Sequence, residues 1–278
     1  MTIISASRRS DIPAFHADWF MERIREAYFL RINPFNPRQM KEVSLDPGGV
    51  DAIVFWSKNP LPLLPHLDEL DSRGYSYYFH FTLNPYGPEF EPGLPPLEER
   101  IATFRRLADR VGPKRVVWRY DPLILSSATI VDWHLQSLQR LAAALHGSTE
   151  RLVISFLDFY GKAGRRLEEL ERSRGIACYD VTLPGMEGEL ERLAAGIGGI
   201  GASSGLRLFS CAEDADLERF GILHGSCIDG DLIRELRGGE GRFVRDRNQR
   251  PACRCATSVD MGTYDSCGYG CLYCYARR

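Results

Sequence analysis

Short apolar runs alternate with stretches of helical period along most of this chain, and that alternation restricts its fold more than any other feature. The runs at residues 2–7, 52–56, 75–83, 115–120, 152–157 and 206–210 are too short for helices and rich in β-branched and aromatic residues. Between them, residues 14–27, 61–72, 95–110, 130–146, 162–175 and 186–197 carry apolar positions at helical spacing. Leu97, Ile101, Phe104, Leu107 and Ala108 show the pattern most clearly, behind Pro95 and Pro96 at a first turn. Continuous apolar runs suit strands buried on both faces, with helices on the outside of a parallel sheet. The expected fold class is α/β, either a doubly wound sheet or a partial or full parallel (β/α) TIM-like barrel. A further short strand at 257–263 would lead directly to Cys267. No linker divides the chain. We expect residues 1–210 to form the body and residues 211–278 a cysteine-rich segment of the same structural unit.

In parallel α/β folds, sites form beyond the C-terminal ends of the strands. Here each apolar run ends in polar residues: Ser10 and Asp11, Lys58 and Asn59, Asn84, Arg119 and Asp121, Asp158, and Glu213 after Cys211. Ser10, Asp11 and Asp121 also suit helix caps or turns, and Arg119–Asp121 or Arg9–Asp11 could be buried structural pairs. The number of such ends favours a polar mouth.

Eight cysteines stand out, seven of them between residues 211 and 274. No leader-like segment opens the sequence, so a cytoplasmic location is expected, where thiols stay reduced and metal binding explains such clustering better than disulfides. Cys267, Cys271 and Cys274 have C-x₃-C-x₂-C spacing. They offer three thiolates to one centre and leave a fourth position open. Gly268 and Gly270 allow the close backbone approach that such a loop needs. Structural zinc and buried thiols are the competing readings. Cys211, Cys227, Cys253 and Cys255 make up the number for a closed four-cysteine site, holding either a second [4Fe–4S] cluster or zinc, unless they are free thiols. Cys178 stands alone and reads as a small buried apolar residue.

Other signals are weaker. Gly196, Gly198 and Gly201 match G-x-G-x-x-G but follow a helix and precede a strand, the reverse of a dinucleotide-binding turn, so they read as a flexible helix end. His80 and His134 have no partner at ligand spacing and read as packed or surface histidines. A net charge of −2 gives nucleic acid no support, and the basic clusters to test for it, Arg8-Arg9 and residues 242–250, read better as solvated faces. No apolar run reaches the roughly 18 residues of a membrane helix, so no membrane partner is expected.

The C-x₃-C-x₂-C motif, with Tyr273 before its last cysteine, resembles the cluster motif of the radical S-adenosylmethionine superfamily. The run Cys-Gly-Tyr-Gly-Cys-Leu-Tyr-Cys-Tyr-Ala looks like its spore photoproduct lyase-like branch, as do Phe55-Trp-Ser-Lys-Asn59 and Arg119-Tyr-Asp-Pro-Leu-Ile124. From Ile4-Ser-Ala-Ser-Arg-Arg-Ser-Asp11 onward the chain resembles the domain-of-unknown-function family eighteen-forty-eight. The motif usually follows the first barrel strand, whereas here it comes last. A circular permutation would reconcile the two, with residues 257–263 as the first barrel strand and residues 2–7 as the second. The resemblance implies a [4Fe–4S] cluster on Cys267, Cys271 and Cys274 that chelates S-adenosylmethionine and cleaves it reductively. The resulting 5′-deoxyadenosyl radical would take hydrogen from an unknown substrate. It further implies Ser10, Asp11, Lys58, Asn59, Arg119 and Asp121 as cofactor-binding candidates, Tyr273 beside the adenine, and Asp158 and Glu213 nearer substrate as catalytic candidates. A second [4Fe–4S] cluster and an electron donor such as flavodoxin or ferredoxin complete the expectation. Two alternatives stand beside it: a non-catalytic zinc or iron–sulfur protein that binds a partner through its cysteine-rich end, and a radical enzyme acting on nucleic-acid lesions or modifications.

Overall fold

A computed structural model describes residues 2–33, 36–239 and 241–277. Strand β1 (Thr2–Ala6) leads through α1 (Ile12–Phe15) and α2 (Ala17–Glu26) to an antiparallel hairpin, β2 (Tyr28–Asn33) and β3 (Asn36–Ser44). There follow β4 (Val50–Ser57), α3 (Leu67–Ser72), β5 (Tyr77–Thr82), α4 (Leu97–Val111), β6 (Val116–Leu123) and the two-residue β7 (Leu125–Ser126). Then come α5 (Val131–Ala144), β8 (Arg151–Phe156), α6 (Gly161–Arg174), β9 (Cys178–Tyr179) and α7 (Glu187–Ser204). The chain continues with β10 (Arg207–Ser210), β11 (Ile222–His224), α8 (Gly230–Leu236) and β12 (Val259–Asp260).

Eight strands form one parallel sheet in the order β11-β10-β8-β6-β5-β4-β1-β12. Neighbours in the sheet follow one another along the chain, except that β12 lies outside β1. Right-handed crossovers that always step the same way put their helices on one face of a sheet. The core agrees. Ile4, Ile53, Phe55, Phe79, Trp118 and Ile154 share a cluster with Phe20, Leu70, Phe104, Leu141 and Ile197 of the helices. Each fully buried side chain of this size contributes about 1.5–3 kcal/mol. The alternate strand positions, Ile3, Val54, Tyr78, Val117 and Val153, face the other way, as a two-residue period requires. They are covered by Cys227, Ile228, Leu232, Ile233, Cys253, Cys255 and Ala256. The cysteine-rich segment therefore fills the second face of the sheet and also contributes its two edge strands.

Several expectations need correction. The helix expected over 14–27 is two, broken at His16. The one over 61–72 starts as a 3₁₀ segment, Leu61–His66, with Pro65 inside it. The strand expected over 257–263 pairs only at Val259 and Asp260. Helix α7 runs through Gly196, Gly198 and Gly201 instead of ending there. A Cβ on Gly198 would lie 2.2 Å from the Phe220 carbonyl oxygen, and one on Gly201 2.5 Å from Leu208. These glycines serve close packing. No helix among the described residues is long and apolar enough to cross a membrane.

Candidate functional site

The C-terminal ends of the parallel strands lie along one edge, and the C-x₃-C-x₂-C loop leaves the sheet there. The Asp260 carboxylate, at the end of β12, accepts hydrogen bonds from Ser5 Oγ (2.6 Å), Ser7 Oγ (2.8 Å), Arg8 N (2.9 Å) and Gly262 N (3.0 Å). It fastens β12 to β1. A Cβ on Gly262 would fall 1.9 Å from Ser7 Oγ, so glycine alone fits this crossing.

Contacts from four other segments then fix the loop. Ser266 donates its hydroxyl to Ser10 Oγ at 2.8 Å, and its carbonyl lies 2.8 Å from His16 Nε2. Phe15 packs edge-on against Tyr269, with centroids 4.6 Å apart. Gly93 N donates to the Tyr269 carbonyl (3.0 Å), and Leu272 N to that of Phe90 (3.0 Å). From α6, the Arg166 guanidinium donates to the carbonyls of Leu272 (2.8 Å), Cys274 (2.5 Å) and Arg277 (3.3 Å). Cys271 is buried, while Cys267 and Cys274 are partly exposed. Burial pushes the Cys271 thiol up to about 12; Lys58 works against this, and Cys267 and Cys274 are close enough to reinforce it.

Lys58 Nζ lies 2.7 Å from Glu91 Oε1 and 5.5 Å from the centre of the Tyr273 ring. Burial opposes the Lys58 charge, but Glu91 and Cys271 outweigh it and hold its pKa above the usual value. The Glu91 side chain is 0% exposed. It also accepts from the Tyr273 hydroxyl, from Asn84 Nδ2 (3.3 Å) and, more distantly, from Arg100 Nη1 (3.5 Å). A single buried carboxylate thus faces two cations beside the cysteine loop. Glu91 went unrecognised in the sequence because it lies in a proline-rich loop that reads as solvent-exposed.

The second cysteine group converges on the other face of the sheet. Cys211 follows β10, Cys227 follows β11, and Cys253 and Cys255 lie just before β12. The sulfurs of Cys211 and Cys227 are 3.0 Å apart, and the Cys227 and Ile228 amides donate to Cys255 Sγ at 3.2 and 3.4 Å. Hydrogen bonding from Cys255 brings the Cys253 thiol down to about 7. Arg119 Nη1 donates to Cys227 Sγ at 2.7 Å, and the same guanidinium binds the Asp121 carboxylate. Burial disfavours the Arg119 charge, but Asp121, Cys227 and Cys211 more than offset this and hold its pKa well above the usual value. Tyr78 and His80 both bond the Cys227 carbonyl, at 2.5 and 2.6 Å. Among the described residues, no three His, Cys, Asp or Glu side chains are arranged to hold a metal ion. The 3.0 Å sulfur separation is that of a hydrogen-bonded pair, shorter than the roughly 3.8 Å between two sulfurs on a tetrahedral zinc with Zn–S bonds of about 2.3 Å. What suits a metal here is donor chemistry: thiols alone, in two groups, each beside a buried cation, Lys58 or Arg119, that works against the raised pKa of Cys271, Cys211 and Cys227.

The remaining candidates have definite places. Asp11 caps α1 through Ala14 N (3.0 Å) and accepts from Lys58 N (2.7 Å); burial raises its carboxyl to about 6, against those bonds. Arg9 lies over the Tyr264 ring rather than pairing with Asp11. The Asn59 side chain bonds Leu61 N at 3.4 Å. Asp121 also accepts from Ser155 Oγ, and its amide donates to Asn84 Oδ1 at 2.9 Å. Asp158 pairs with the half-exposed Arg250 at 3.0 Å. Glu213 accepts from Phe156 N at 3.0 Å, and burial pushes it up to about 8, reinforced by Cys211 and Asp158. It lines an open polar pocket of about 270 Å³ with Asp214, His224, Arg245 and Arg254. Cys178, in β9, packs near Leu167 and Leu170, and burial raises it to about 11. His134 is buried, with its ring nitrogens 3.0 Å from Tyr120 Oη and 2.9 Å from the Ile124 carbonyl.

Fold and site together define an α/β protein with one parallel eight-stranded sheet, at whose C-terminal edge the cysteines gather in two groups. The chain belongs to the family described as Domain of unknown function (DUF1848), whose model matches residues 3–276. No curated protein matches it. Among solved structures, the cellulose synthase subunit Z of Clostridioides difficile is similar at 8% identity over 75% of this chain and 78% of its own, with a TM-score of 0.30. A likeness of that size carries no argument.

Proposed function

We propose that this chain is a radical S-adenosylmethionine enzyme with a second, four-cysteine iron–sulfur centre. The observation that carries the reading is the C-x₃-C-x₂-C loop itself. It leaves the C-terminal end of a parallel strand, and six residues (Ser10, Phe15, His16, Phe90, Gly93 and Arg166) hold it beside the polar ends of β1, β4 and β5. Cys267, Cys271 and Cys274 would hold a [4Fe–4S] cluster, which would supply the one-electron chemistry for reductive cleavage of S-adenosylmethionine. The chain's own residues supply the setting. Lys58 offers a buried cation beside Cys271. Arg166 and Gly93 fix the loop backbone, and Glu91 anchors Lys58 and Tyr273. The strand order, with β12 beside β1, supports a (β/α) barrel-like sheet circularly permuted relative to the superfamily. Ser10, Asp11, Lys58, Asn59 and Tyr273 remain the proposed surroundings of S-adenosylmethionine, whereas Arg119 and Asp121, expected there from the sequence, are turned to Cys227 of the four-cysteine group. Glu213, in the polar pocket, and Asp158, paired with Arg250, are proposed to face the substrate.

The test is anaerobic purification followed by reaction with S-adenosylmethionine and a strong reductant. We expect a brown protein with about eight irons, the content of two cubes. We also expect 5′-deoxyadenosine release that Cys271→Ala abolishes. A colourless protein holding stoichiometric zinc would favour a non-catalytic metal protein, and release unchanged in Cys271→Ala would refute the site.

A further inference from the structure

We propose that Arg119 is a positioning residue of the four-cysteine centre, and that it and Asp121 set the centre's reduction potential in opposite directions. The inference rests on the iron–sulfur reading above. Arg119 is 5% exposed, and its Nη1 donates to Cys227 Sγ at 2.7 Å. The guanidinium is aimed by Asp121, which takes both Nε and Nη2. Asp121 is fixed in turn by Ser155 and by its own backbone amide on Asn84. This is a rigid, buried, charge-assisted donor on a ligand sulfur.

Such donors are strong because the charge is fixed and poorly screened. Reduction adds one electron to the centre, taken from an external low-potential one-electron donor, and no bond to Arg119 forms or breaks. The added negative charge is shared by the ligand sulfurs, so a cation on Cys227 stabilises the reduced form more than the oxidised form. Asp121 is an anion two bonds of the same network away and offsets part of that effect. Neutralising Arg119 should therefore make reduction harder, and neutralising Asp121 should make it easier. The network continues beyond Asp121: Asn84 Nδ2 also donates to the Asp121 carbonyl (2.9 Å) and lies 3.5 Å from the Tyr273 hydroxyl. A hydrogen-bonded path thus joins Cys227 to the C-x₃-C-x₂-C loop.

The experiment uses the full chain with Cys267, Cys271 and Cys274 replaced by alanine, so that only the four-cysteine centre is present. Iron and zinc are counted first. The midpoint is then measured by dithionite titration, following visible bleaching and electron paramagnetic resonance. In Arg119→Met we expect the reduced-to-oxidised ratio at a fixed potential to fall about tenfold, the equivalent of one charge-assisted hydrogen bond. Arg119→Lys should recover part of the loss, and Asp121→Asn should shift the ratio upward. A purely structural role for the pair would move both variants the same way or neither, and either result overturns the proposal while leaving the iron reading intact. Should Arg119→Met not fold, Asp121→Asn and Arg119→Lys still decide the sign. Zinc in place of iron in the parent protein defeats the underlying reading and this inference with it.

Discussion

Replacing Glu91 by glutamine tests the buried charge cluster most directly. The change keeps the shape and one carbonyl oxygen but removes the negative charge. Lys58, with 15% of its side chain exposed, then keeps its charge with only the more distant carboxylates of Asp11 and Asp121 to balance it. Breaking one partner of a buried ion pair costs about 3–5 kcal/mol. Arg100 limits the loss. Its distance to Glu91 is 3.5 Å, and it retains bonds to the Asn84 and Pro95 carbonyls at 3.1 Å each. The amide oxygen of glutamine also still accepts from Lys58 and Tyr273. We therefore expect the lower end, about 3 kcal/mol. The assay is urea unfolding followed by circular dichroism, run as a double-mutant cycle with Lys58→Met. The cycle should show a coupling of at least about 1 kcal/mol, because removing the lysine as well eliminates the stranded charge. A loss below about 1 kcal/mol in Glu91→Gln, or an additive cycle, would refute the view that Glu91 holds this cluster together.

Three further outcomes follow from the same geometry. Burial lowers His134 to about 4, against the Ile124 carbonyl. The unfolded chain protonates near pH 6.5 and the folded one does not, so stability is lost as pH falls from about 6.5 towards 4. That amounts to about 2 kcal/mol at pH 5; urea midpoints at pH 7.5 and 5 should show it, and His134→Gln should remove that share. Gly198→Ala should cost about 1–3 kcal/mol through its clash with the Phe220 carbonyl. Gly199→Ala, where a Cβ meets nothing within 4 Å, should instead be neutral or stabilising by up to about 1 kcal/mol; equal thermal shifts in the two would contradict the packing. Arg166→Ala should leave global stability nearly unchanged but speed amide exchange across residues 271–276 about tenfold, the cost of one lost charge-assisted bond. Exchange that stays at the parent rate would show that the loop does not depend on α6.

Much of the sheet is readable from the chain because its strands are continuous apolar runs. Val50–Ser57 and Tyr77–Thr82 are buried on both faces and leave no competing pattern. Hairpin β2–β3 escapes notice because Leu30, Ile32 and Met40 lie exposed among charged residues, so no buried stripe forms. The short strands β11 and β12 are held by the sheet around them and have too few residues for a period of their own. At the site, thiols carry a spacing signal and are found. Glu91, Asp260 and Arg166 are not, because their importance comes from neighbours 106 to 255 positions away in sequence. Arg166 in particular reads as one more solvent-facing charge on α6.

The pairing of β1 with β12 also bears on how the chain is made. Ser5 and Asp260 are separated by 255 positions. At about 5–20 residues per second, β1 leaves the ribosome roughly 13–50 s before its outer neighbour has been synthesised. Throughout that interval its hydrogen-bonding edge is open to any strand that meets it. The cysteines of the C-x₃-C-x₂-C loop are translated after β12, and the loop reaches its place only once β12 closes that edge. A nascent chain stalled before residue 259 would therefore present an unprotected sheet edge at β1, where chaperone binding during synthesis would be concentrated.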